Sequence, residues 1–250
     1  MYQPSEEERE YLRNYRPGDY ERPSVTVDNV IFTLSDKHEL SILLIQRRNF
    51  PYKGLWAIPG GFVEMTESLL EAAARELKEE TGLENIPMDQ LATFGDVGRD
   101  PRMRVISVAY MAFVPKDSLN IHAGDDARDA ELFRIYRNEE GLVLIGTRHV
   151  VKEDELAFDH AKVIETAIQR LKNRIDYTED AFHFLENDQS FTIYELKKIF
   201  ETVKGENLDA GNFRRDFLKK YVDTGKVVET GEKTSANGRR AATLYRKVRQ

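Results

Sequence analysis

The segment from Gly61 to Leu83, GFVEMTESLLEAAARELKEETGL, constrains this chain more than any other stretch. Leu69, Leu70, Ala73, Ala74 and Leu77 recur every three or four residues, so the spacing predicts a helix over Ser68–Thr81 with one apolar face. Gly82 supplies its stop signal. Glu76, Glu79 and Glu80 stand at i, i+3 and i+4, and one helical face therefore presents three carboxylates. Hard divalent cations such as Mg²⁺ take oxygen ligands from carboxylates together with substrate phosphates. Such a cation neutralises pyrophosphate oxygens and activates water for attack on phosphorus. Arg75 can orient or partly neutralise the cluster, and Gly60-Gly61 lets backbone approach the site closely.

The segment fits the pattern G-x5-E-x7-R-E-U-x-E-E-x-G-U throughout, with Gly61, Glu67, Arg75, Glu76, Leu77, Glu79, Glu80, Gly82 and Leu83 in their places. At roughly one chance in ten for each single-residue requirement, a random match is on the order of 10⁻⁷ per start site. A merely solvated acidic helix would not carry the glycines and Arg75 as well. On these residues the stretch resembles the Nudix box, and residues 25–172 resemble a Nudix hydrolase domain. That resemblance implies that Glu76, Glu79 and Glu80 bind Mg²⁺ (or Mn²⁺), with the Gly60 carbonyl as a further ligand and Glu67 supporting helix and site.

The rest of the N-terminal part is consistent with such a domain. Ser24–Leu34 and Leu40–Gln46 are β-branched apolar runs that read as hairpin-like strands. Further strands are expected around Leu91–Phe94, Val105–Val114 and Leu132–Tyr136, with an acidic loop at Asp125–Glu131 and a helix over His160–Ile175. Residues 138–155 read as an insertion. The expected division is an N-terminal arm at 1–24, a Nudix domain at 25–175 and a second domain at 176–250. The expected fold class is α+β, a Nudix α/β/α sandwich followed by a winged helix-turn-helix domain.

Two stretches narrow the ligand. DVGRDPRMRVIS, Asp96–Ser107, places Arg99, Arg102 and Arg104 before a strand, and guanidinium forks bind phosphate bidentately. The stretch resembles a segment of the ADP-ribose-directed Nudix branch, which implies ADP-ribose or a related nucleoside diphosphate compound as ligand. Residues 125–131, and Leu156–His160 (LAFDH), resemble segments of the same branch. Loops like the first carry a catalytic base in that family. Asp125, Asp126 and Glu131 stay open as alternatives, with Asp126 taken forward as catalytic. His160 reads as a helix-start residue. Trp56 and Phe50 flank the glycine loop and can stack on a base, or pack in the core.

Charge separates the C-terminal part from the rest. The net charge is −7, yet residues 189–250 carry 14 Lys+Arg against 8 Asp+Glu, so the excess acid lies in the body. Two helical patterns, Ile193–Val203 and Phe213–Tyr221, precede two strand-like runs, the order of a winged helix. An apolar back of Phe213, Phe217 and Tyr221 leaves Asn212, Arg214, Arg215, Lys219 and Lys220 near the outward side, as a recognition helix requires. Arg239 and Arg240 lie at the wing tip, where they can follow a phosphate backbone.

FTIYELKKIFETVKGENLDAGNFRRDF and GRRAATLYR resemble the winged helix of the Nudix-related transcriptional regulators of NAD metabolism (NrtR) and their sugar-responsive relatives. The resemblance implies a ligand-responsive regulator that binds a double-stranded operator as a homodimer, ligand changing the spacing of two recognition helices. Many such regulators have a degraded box; here it is intact, so metal-dependent hydrolysis stays among the expectations. The alternative is an ADP-ribose diphosphatase whose C-terminal domain serves only dimerisation. The absence of cysteine excludes disulfide and thiolate chemistry. No signal-peptide pattern and no run of ~20 apolar residues is found, and a cytoplasmic protein without membrane partners is expected.

Overall fold

The eleven residues SVTVDNVIFTL form the central strand of the protein, β1 (Ser24–Leu34), buried on both faces over most of its length. In the computed structural model, which describes residues 2–119, 127–139, 141–234 and 241–248, β1 is flanked by β2 (Leu40–Arg47) and by β6 (Val105–Phe113). The β1–β2 hairpin pairs only from Phe32 to Leu34; further along, β1 takes the short β4 (Gly60–Phe62) and β2 takes β3 (Trp56–Ala57). β1 and β6 are parallel, the pairing that requires a crossover between them.

The crossover contains helix α2 (Leu69–Thr81), which begins and ends on sequence-encoded caps. Ser68 and Glu71 form a reciprocal capping box, and Gly82 closes the helix in the left-handed conformation. β5 (Asp89–Phe94) follows and forms one sheet edge, giving the order β5-β6-β1-β2-β7-β8-β9 with β7 at Ala127–Asn138, β8 at Gly141–Ile145 and β9 at Val150–Lys152. A strand with period-2 side chains offers each face to a different neighbour. Ile31 packs with Leu77 of α2, whereas Val30 and Phe32 belong to the cluster holding Val163, Ala167 and Leu171 of helix α3 (His160–Arg174). The sheet is thereby sandwiched between helices.

Two sequence expectations need correction here. The acidic stretch expected as a loop to Glu131 is already strand from Ala127, because Asp129 and Glu131 pair with Gln46 and Leu44 of β2. Residues 138–155 are no mere insertion: β8 and β9 extend the sheet, burying Leu142, Leu144 and Val151. At the N-terminus, helix α1 (Glu6–Asn14) is capped by Ser5 and buries none of its residues.

After α3, a short 3-10 turn (Asp180–Phe184) leads to α4 (Ile193–Lys204), α5 (Ala210–Phe217), a π-turn over Leu218–Val222, and the ribbon of β10 (Val227–Thr234) and β11 (Ala242–Lys247). Edge-on aromatic pairs hold this unit together: Phe182 on Phe191 and Tyr221, and Phe217 on Tyr245. Phe191 and Tyr245 also exchange two backbone hydrogen bonds, adding a bridge to the ribbon. Phe184 meets Phe113 of β6 and joins the two units. Among the described residues no helix is long and apolar enough to cross a membrane.

Candidate functional site

One cavity of about 530 Å³ collects most of the residues singled out in the sequence for metal and ligand. Its wall includes Glu76, Glu79 and Glu80 of α2, Gly60 and Gly61 of β4, Phe50, Arg75, Arg99 and Arg102. β4 can lie close to β1 at Gly60 and to α2 at Gly61 because both glycines lack a side chain. A Cβ on Gly60 would stand 2.1 Å from the Val27 carbonyl oxygen, and one on Gly61 would stand 2.4 Å from Glu76 Oε1.

Arg75 organises the carboxylates. Its Nε and Nη2 donate to the two oxygens of Glu67 at 3.0 and 2.6 Å, while Nη1 donates to Glu76 at 2.8 Å and to Glu79 at 3.2 Å. The Glu67 carboxyl is held down at about 2 by those bonds and by the Glu64 N–H. Glu76 moves the other way: burial raises it, against the pull of Arg75. Glu80 is buried and accepts the Gly60 N–H at 2.6 Å.

Among the described residues no three His, Asp or Glu side chains already converge as a metal cage. The donor chemistry nevertheless fits a hard divalent cation, since three carboxylates face one cavity and one of them is partly desolvated.

The arginines separate into three kinds. Arg99 is buried, its fork closed on Asp159 at 2.6 and 3.0 Å, with Asp28 at 3.4 Å. It lines the cavity as an already paired guanidinium, held by two carboxylates. Arg104 donates to the carbonyls of Asp96 and Val105 and does not line the cavity, which corrects its expected role. Arg102 lines the cavity and is more than a third exposed, clasped by Asp100. Its guanidinium carbon lies 5.2 Å from the ring centre of Phe62 and 5.9 Å from that of Phe158.

Phe50 is exposed at the cavity rim. Trp56 is not available to a base: it is buried edge-on against Phe133 at 4.7 Å, a correction explained by the apolar core beneath β3. Asp125 and Asp126 lie outside the described residues. Glu131 is buried away from the cavity and accepts bonds from Thr147 Oγ1 and the Arg148 N–H, with His149 Nδ1 at 2.7 Å. Burial raises its carboxyl, but His149 and the neighbouring N–H and O–H donors outweigh this and hold it below its ordinary value.

A buried polar group in the wall of the cavity was missed in the sequence. Asp28 of β1 accepts from Ser107 Oγ and lies 3.6 Å from His160 Nε2, while His160 Nδ1 accepts the Ile58 N–H at 2.9 Å. A signal existed, because Asp28 is the one charged residue in SVTVDNVIFTL, and a buried charge demands partners.

In the C-terminal unit, Asn212, Arg214, Arg215 and Lys219 are exposed along one helical segment, Asp209 capping its start. Arg215 contacts the adjacent Asp216. Lys220 is half-buried beside Tyr221, its Nζ donating to the Asp176 carbonyl, and it lines a groove together with Asn212. Arg239 and Arg240 lie outside the described residues.

Comparison with known proteins bears on both units. Residues 24–152 match the NUDIX domain, and residues 181–247 match the NrtR DNA-binding winged helix domain. The chain is 35% identical to the ADPR responsive transcriptional repressor NtrR of Acinetobacter baylyi, over 96% of this chain and 88% of that protein. The crystal structure of a MutT/nudix family protein from Enterococcus faecalis superposes with a TM-score of 0.77 at 29% identity, covering 99% of this chain and 100% of that one. Shewanella oneidensis NrtR, in complex with a 27mer DNA, superposes with a TM-score of 0.68 at 29% identity, covering 90% of this chain and 93% of that one.

Proposed function

This chain belongs to the Nudix family and carries an NrtR-type winged helix after its Nudix domain, and on that premise we propose that it is an ADP-ribose-responsive regulator of transcription that retains metal-dependent hydrolysis. The observation that carries this reading is the shared cavity, where Glu76, Glu79 and Glu80 meet Arg102 and Phe50 in a chain whose other unit turns Asn212, Arg214, Arg215 and Lys219 outward. The assigned units are residues 1–24, 25–175 and 176–250.

In this reading the three carboxylates and the Gly60 backbone hold Mg²⁺ or Mn²⁺. The chemistry such a cation supplies is neutralisation of pyrophosphate charge and activation of water. Arg75 holds the carboxylates in place, because its fork contacts Glu67, Glu76 and Glu79 together. Arg102 supplies the free edge of a guanidinium to phosphate, and Phe50 a ring face to a base. Asp126 is the proposed base that takes the proton of the attacking water. Two copies reading paired half-sites would account for the operator-binding form.

Purified protein incubated with ADP-ribose and Mg²⁺ should yield AMP and ribose 5-phosphate, and Glu79→Gln or Glu80→Gln should lower turnover by orders of magnitude with the fold intact. The same preparation should retard a promoter fragment, with ADP-ribose shifting the midpoint. Turnover without any retardation leaves a diphosphatase; retardation without turnover leaves a sensor.

A further inference from the structure

The Leu156–His160 stretch is unexplained by the ligand cavity alone, yet it is tied to the segment leading into the glycine loop. Trp56 forms a parallel bridge with Leu156, and the Ala157 N–H donates to the Trp56 carbonyl at 2.8 Å. Phe158 then adopts φ +54°, a left-handed conformation that a side chain rarely takes. It is held there by Tyr52, whose ring centre is 4.8 Å away, and by Arg47, whose guanidinium carbon lies 4.9 Å from the ring centre. Such an outlier persists only where the surroundings over-determine it, and it points to a purpose for the turn.

The purpose follows from where the turn delivers His160. This first residue of α3 is 3% exposed, and its Nδ1 accepts the Ile58 N–H, two residues before Gly60. A ring nitrogen that accepts is unprotonated, so the proton of the neutral ring sits on Nε2, the side facing Asp28. Asp28 lies directly across the β1–β4 ladder from Gly60, and Arg99 ties Asp28 to Asp159, the residue before His160. On its far side, the Pro59 carbonyl accepts the Asn29 N–H at 2.7 Å. The Ile58–Gly60 backbone is thus gripped at consecutive residues, by α3 through an imidazole and by β1 through a peptide.

We propose that His160 is a positioning residue for the metal-binding loop: by accepting the Ile58 N–H, it fixes the Gly60 backbone opposite Glu80. The proposal rests on the metal reading of the cavity given above. It assigns to α3 a role in the site that no side chain reaching the cation itself would supply, because partners behind a ligand set its orientation.

The test uses the full-length protein and two variants. His160→Phe keeps the bulk and removes the acceptor, whereas His160→Asn places an amide oxygen where Nδ1 stood. Mn²⁺ binding, read by electron paramagnetic resonance, should weaken about 10–100-fold in His160→Phe. Exchange of the Ile58 amide should quicken, and His160→Asn should restore both toward wild type. Wild-type affinity and an unchanged Ile58 exchange rate in His160→Phe overturn the proposal. A ¹⁵N spectrum of the wild-type imidazole needs no variant to fold: an Nε2–H tautomer is expected, and a proton on Nδ1 overturns the proposal. Wild-type protein that binds no Mn²⁺ overturns the metal reading instead, and the ring and amide measurements distinguish that failure from this one.

Discussion

Arg75 grips Glu67 through two parallel hydrogen bonds, Nε to Oε2 at 3.0 Å and Nη2 to Oε1 at 2.6 Å. The pair joins the loop before α2 to the middle of that helix, and it leaves Nη1 for Glu76 and Glu79. Removing Glu67 would free Arg75 to collapse further onto the carboxylates. A carboxyl whose folded value is depressed to about 2 stabilises the protein above its ordinary value and loses that contribution as pH falls toward 2. Glu67→Gln should therefore melt below wild type at pH 7, with the gap closing between roughly pH 4.5 and 2. Paired thermal melts across that range check it, and a gap independent of pH would contradict it.

The two loop glycines should fail differently. An added methyl at Gly61 meets only the end of the Glu76 side chain, which can swing away. Gly61→Ala should keep its melting temperature and lose hydrolysis by about 10²-fold, the cost of an Ångström-scale misplacement. Gly60→Ala meets the Val27 carbonyl, which is backbone in a paired strand. It should destabilise the fold by about 1–3 kcal/mol or more. Calorimetric melts and turnover assays on the same two samples separate the effects.

Arg102 and Arg104 look alike in sequence and should behave unlike each other in binding. Loss of a charged hydrogen bond at Arg102→Ala should weaken ADP-ribose binding by about 1.5–3 kcal/mol. Arg104→Ala should leave affinity within about 0.5 kcal/mol, as expected for a surface change away from the site. Titration calorimetry decides, and equal losses in both would return Arg104 to the ligand.

On the C-terminal unit, Arg214→Ala with Arg215→Ala should abolish specific retardation of a promoter fragment and spare hydrolysis. Each phosphate that is no longer neutralised should lower the salt slope of DNA affinity by about 0.9. Lys220→Ala should leave that slope unchanged, because its ammonium is spent on the Asp176 carbonyl. Fluorescence anisotropy at several salt concentrations reads both results.

Local pattern was enough for the parts whose physics is local. The α2 caps, the i, i+3, i+4 carboxylates and the apolar face of the helix at Phe217 and Tyr221 need only a few neighbouring residues to form, so the sequence alone determined them. What it could not determine is which charges meet across long separations. Arg99, Arg102 and Arg104 stand within six residues of one another, yet Arg99 lines the cavity locked to Asp159, Arg102 lines it clasped by Asp100, and Arg104 caps its own loop outside it. Trp56 and Glu131 likewise took their roles from β7 and from the Thr147–His149 turn that closes over the sheet. A buried ion pair or hydrogen bond depends on distance and desolvation, and those are set only when strands and helices far apart in the chain are brought together.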